Sequence, residues 1–121
     1  MADSEYRDAP GGLGPPDHLR LAEALRRHVL EHRSETDCAL RQAAAARAAG
    51  GPPTDSPYDS LAYQIGVAAH RVTDEQVARV VEAIGGQRAA FELIIAAAVG
   101  AGLCRWQAGL RALAEATDEA Q

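Results

Sequence analysis

Cysteine, histidine and arginine are the residues of this chain with chemistry to offer, and their spacing decides which chemistry is open to them. The two cysteines, Cys38 and Cys104, stand 66 positions apart. Cys104 lies in VGAGLCRWQAGLRAL (99–113) beside Arg105. A guanidinium stabilises a thiolate, but consecutive residues of a helix point about 100° apart. Cys38 falls near an expected helix N-terminus, where the macrodipole favours a thiolate and the adjacent Asp37 opposes it. A structural role is the plainer reading of both cysteines; a reactive thiol is the sharper one. His28 and His32, in HVLEH, match the H-x-x-E-H of inverted zinc peptidases and share one helix face. Such a peptidase needs a distant third ligand and a cleft, and Arg26, Arg27 and Arg33 repel a cation. Surface histidines are expected here rather than a metal site. His70 closes a helix just before VTDE, where it would meet the terminal carbonyls and the negative end of the dipole. Tyr63, seven positions earlier on nearly the same face, leaves acid–base chemistry open to it.

Composition narrows the classes further. All 12 basic residues are arginine, so neither Schiff-base chemistry nor a P-loop is available, and no cofactor is expected. The net charge of −5 disfavours nucleic acid. Arg20, Arg26, Arg27 and Arg33 are interleaved with Glu23, Glu31 and Glu35, the pattern of a solvated helix face. Asp3, Glu5 and Asp8 interrupt the N-terminal stretch, so no secretory signal is expected. The apolar run from Phe91 to Leu103 is short for a membrane span and Arg105 follows it, so no membrane insertion is expected. Two cysteines make no disulfide framework, which points to the cytoplasm.

The elements that must hold these residues are helices. With 121 residues the chain suits one domain, and alanine, the best helix former, is its commonest residue. Residues 1–16, broken by Gly and Pro, are expected to form a disordered or loosely attached arm. Asp17 caps a helix to about Arg33 with Leu21, Leu25 and Val29 stacked. SETD (34–37) has the form of a capping box before CALRQAAAARAA, which Gly50 and Gly51 stop. Ser56 then caps a helix with Pro57 in its first position and Leu61, Ile65, Ala68 and Val72 on one face. TDEQ (73–76) is a second capping box, before a helix with Val77, Val80, Val81 and Ile84 inward, closed by Gly85 and Gly86.

The last helix is expected from Gln87 to about Ala116, longer than a core this small can cover. It holds three glycines, Gly100, Gly102 and Gly109, each costing roughly 1 kcal/mol against alanine. Close helix packing offsets that cost, with Trp106 and Leu110 beside the groove. A contact surface accounts for all three glycines and the tryptophan, whereas a thiol site accounts only for Cys104. Ile95, Val99, Gly102, Trp106 and Leu110 are the expected interface.

The run YDSLAYQIGVAAHRVTDEQVARVVEAIGGQRAAFELIIAAAVGAGLCRWQAGLRAL (58–113) resembles the second half of the AhpD-like, carboxymuconolactone decarboxylase-like fold. The VTDE, FEL and AAAVGAGL segments carry the likeness. The resemblance implies an all-α domain over 17–121 and a homo-oligomer, trimer or hexamer. The peroxidase members carry a C-x-x-C pair, in which one thiolate attacks peroxide and the second resolves the sulfenic acid. This chain has no C-x-x-C, so the resemblance supplies no catalytic residue. A non-peroxidase assembly or accessory subunit is therefore expected, with a larger protein as its partner. The alternative is an enzyme of the same superfamily: a hydroperoxidase using Cys38 or Cys104, or an acid–base decarboxylase or isomerase using His70.

Overall fold

Capping chemistry sets most of the helix boundaries. In the computed structural model, which describes residues 17–120, Asp17 accepts the backbone N–H groups of Leu19 and Arg20 and opens α1 (His18–Glu31). Asp37 accepts from the N–H of Ala39 and opens α2 (Cys38–Ala48). Helix α3 (Tyr58–Ala68) runs into a 3-10 turn (Ala69–Arg71). Thr73 and Gln76 form a complete capping box at the start of α4 (Asp74–Ile84). Gly85, at φ 97°, ends α4 in the left-handed conformation that glycine alone adopts without strain. Helix α5 (Gln87–Ala120) has 34 residues and so spans about 51 Å. The described residues form a single all-α domain of five α-helices, and no strand occurs among them.

The first half of α5 is the axle, and each of the other four helices packs on it. Leu61, Val80 and Leu93 are the largest fully buried side chains. Around them lie Ala44, Ala48, Ala62, Ala90, Ala97 and Ala101. Methyl groups in place of long side chains bring the helix backbones close together. Any Cβ on Gly66 of α3 would overlap the Ala48 carbonyl, and one on Gly100 of α5 would fall 2.7 Å from the Ala45 Cα. A second cluster, Leu30, Ala45 and Ala96, ties down the last turn of α1. No residue beyond Ala101 belongs to the core of the described structure.

Three local expectations are corrected, and the glycines of α5 are told apart. Leu21 and Leu25 are 54% and 48% exposed, because no element among the described residues lies opposite the first turns of α1. Ser34 does not cap α2; its hydroxyl is drawn to Glu92 on α5, and Asp37 caps in its place. Pro57, after a cis Ser56–Pro57 bond, precedes α3 rather than filling its first position, and Ser56 makes no cap. Of the three glycines in α5 only Gly100 meets a neighbouring helix, while Gly102 and Gly109 face open space within the chain. The expected N-terminal arm, residues 1–16, lies outside the described residues.

Candidate functional site

Two clefts gather the chemically capable residues, one at each end of α2. The first, about 180 Å³, lies between the end of α1 and the start of α5. Arg41 projects from the inward face of α2 and is only 3% exposed. Its guanidinium donates to the carbonyls of Val29 and His32, closing the C-terminal end of α1. The Arg41 Nε is buried without a hydrogen-bond partner among the described residues. On the opposite wall the Ser34 hydroxyl donates to Glu92 Oε2, and the Thr36 N–H donates to Glu92 Oε1 at 2.9 Å. The Thr36 hydroxyl donates to the Ala89 carbonyl at 3.1 Å. The donors to Glu92 stabilise the ionised carboxylate, Ser34 most of all, and hold its pKa down at about 2 against the opposing effect of burial. Glu92 thus staples the α1–α2 loop to α5 as a charged acceptor, which leaves it poorly suited to taking up a proton near neutral pH.

His28 and His32 stand on the rim of this cleft with stacked rings, their centroids 5.1 Å apart. Among the described residues no group of three or more His, Cys, Asp and Glu side chains is arranged to hold a metal. Ile95, one of the expected interface residues of α5, lines the same cleft.

The second cleft, about 230 Å³, opens at the other end of α2 between α3 and α5. Arg47 Nε donates to Asp59 Oδ1 at 2.8 Å, and its Nη1 donates to the Gly51 carbonyl at 3.2 Å. The same guanidinium sits 4.6 Å above the Tyr63 ring. Asp59 also accepts the Thr54 N–H at 2.9 Å, so the loop before α3 is held by one carboxylate. Arg105 donates to the Gly66 carbonyl. Cys104 is exposed in this cleft, its thiol 3.7 Å from the Ala49 carbonyl.

The sequence candidates therefore separate in space. Cys38 begins α2 and Cys104 reaches the residue just past its end, about 16 Å away along the helix axis. That distance is far beyond disulfide reach. The Cys38 thiol is half-buried, donates to the Leu30 carbonyl at 3.2 Å and accepts from Gln42 at 3.0 Å. His70 is exposed in the 3-10 turn and makes no side-chain hydrogen bond to another described residue. Tyr63 is turned toward Arg47 instead. Sequence reasoning missed Arg41, Arg47 and Glu92. The signal for Arg41 was present: it shares the inward face of α2 with Ala44, Ala45 and Ala48, where an arginine is out of place unless buried and paired. Glu92, inside the apolar run FELII, carried the same kind of signal.

The remaining sequence candidates lie further along α5. Val99, Leu103 and Trp106 are half-buried, and every residue from Gln107 to Glu119 is exposed. By length and composition α5 is long and apolar enough to cross a membrane, and 28% of its most apolar stretch is buried in the fold. No protein-family model, curated protein or solved structure matches the chain.

Proposed function

We propose that this protein is a non-peroxidase, AhpD-like helical subunit that assembles with copies of itself and serves as an accessory component of a larger cytoplasmic enzyme. The observation that carries the reading is the second half of α5. The core is complete by Ala101, yet the helix continues for about five further turns with Leu110 and Leu113 at 38% and 65% exposure. A helix that contributes nothing to its own core has its use outside it. The AhpD-like sequence pattern of 58–113 supports the same reading. The test is the native mass of the untagged protein drawn gently from its own cells. Co-purification with a second, larger chain is the expected result. A solitary monomer would overturn the proposal.

The Cys104 cleft favours a second reading, a thiol-dependent hydroperoxidase. The Cys104 thiol is exposed there, in a cleft that Arg47 and Arg105 also line. Under this reading Cys104→Ser abolishes peroxide consumption and Cys38→Ser does not. Under the first reading the protein consumes no peroxide and both substitutions leave assembly intact.

A further inference from the structure

Arg41 is a buried cation without a counter-ion. It is 3% exposed, and no carboxylate pairs with it among the described residues. A guanidinium stays charged at any physiological pH and offers five N–H donors. Two of these are used, one on the Val29 carbonyl and one on the His32 carbonyl. Those bonds set the cation at the negative end of α1, which accounts for part of its burial. The Nε–H is left without an acceptor among the described residues. A buried charge with no opposite charge beside it and a buried donor with no acceptor are each costly, and one anion relieves both. Arg41 also lines the first cleft, of about 180 Å³.

We infer that this cleft binds a small aromatic carboxylate, one ring bearing one charged group, with Arg41 as its counter-ion. Size sets the upper limit. A cavity of about 150 Å³ holds a benzene ring, so the cleft admits a single ring with its carboxylate. The walls suit the two ends of such a molecule. Val29, Phe91 and Ile95 supply apolar surface, and Phe91 is 61% exposed, its ring open to a ligand. His28 and His32, stacked at the rim, offer flat faces to a ring and nitrogen donors to a carboxylate oxygen. Glu92 lines the same cleft and opposes an anion. Its two oxygens are engaged by the Ser34 hydroxyl and the Thr36 N–H, so part of its charge is met from the α1–α2 loop. A bare inorganic anion gains nothing from the apolar wall, and a neutral ring leaves the Arg41 charge unmet. A ring carrying a carboxylate answers both. The inference is separate from the assembly reading, which concerns the other half of α5.

The experiment titrates the full-length, isotope-labelled protein at neutral pH with sodium benzoate and follows the backbone amide signals. Benzamide and inorganic phosphate are the controls. The expected result is a saturable shift at Val29, Phe91 and Ile95 with a dissociation constant of roughly 0.1–1 mM, ordinary for a ligand of about nine heavy atoms. Benzamide, which has the shape without the charge, binds at least about tenfold more weakly, and so does phosphate. Arg41→Met keeps the bulk of the side chain, removes its charge and abolishes the saturable shift. Because that substitution also uncaps α1, Phe91→Asp serves as the second variant. The position lies outside the core, so the fold is kept, which circular dichroism checks, and benzoate binding weakens at least about tenfold. No saturable shift with benzoate overturns the inference. Equal binding of benzamide overturns it by showing an apolar cleft that does not recognise charge. Equal binding of phosphate overturns it by showing an anion site that makes no use of a ring. Benzoate binding undiminished in Phe91→Asp or in a folded Arg41→Met, or shifts that fall elsewhere in the molecule, place the ligand at another site and overturn it as well.

Discussion

Glu92 is the side chain on which the first cleft depends. Its carboxylate takes hydrogen bonds from the Ser34 hydroxyl and the Thr36 N–H, and these favour the charged form in the folded protein only. The folded pKa of about 2 lies below the ordinary value of 4.5. A depressed folded pKa gives stability that is complete above the unfolded value and lost as pH falls through the folded one. Wild type is therefore expected to exceed Glu92→Gln in denaturation midpoint at neutral pH. The gap should narrow below about pH 4.5 and vanish near pH 2, the window set by the two values above. Denaturant titrations of the two proteins over that range check this. A gap independent of pH would mean that the Glu92→Gln substitution acts through packing and not through charge.

Among the elements, α2 is held on two sides by backbone-to-backbone contact, with Gly66 of α3 at Ala48 and Gly100 of α5 at Ala45. Gly100→Ala is expected to destabilise by about 2–3 kcal/mol, the cost of forcing atoms into a filled interior. Gly102→Ala has no neighbour to strike and gains helix propensity, so it should stabilise the single chain by up to roughly 1 kcal/mol. Thermal melts of the pair decide this, and equal shifts of the same sign would contradict the packing described. Much at this scale was legible in the sequence. TDEQ declared its helix because the capping hydroxyl and its amide partner lie within one turn. SETD carried an equivalent signature and misled, because the Ser34 hydroxyl found a carboxylate 58 residues away. The Leu21 and Leu25 stripe was as regular as any in the chain, yet periodicity identifies a face without saying whether anything lies against it. The same limit left Arg41 and Arg47 unread, since their partners are carbonyls, a carboxylate and a ring brought in by other elements.

For the whole molecule, the boundary at Ala101 divides α5 into a structural half and a projecting half. Ending the chain after Trp106 removes no core residue. The truncated protein is expected to keep its fold with a melting temperature within about 5 °C of the full chain. It should also lose self-association at concentrations where the full chain assembles. Circular dichroism and native mass test the two halves of that statement separately. A truncated chain that no longer folds would show that the projecting half stabilises the core.

The attachment of α1 has a kinetic consequence. Its last turn is gripped by Leu30 against Ala45 and Ala96 and by the Arg41 guanidinium on the Val29 and His32 carbonyls. The turns around Leu21 and Leu25 lie largely in water. Such a helix unwinds from its N-terminal turns. Amide protons near Leu21 should therefore exchange with deuterated solvent orders of magnitude sooner than those near Leu30. The protection would rise along one continuous helix, with the Arg41 contact as its fixed point.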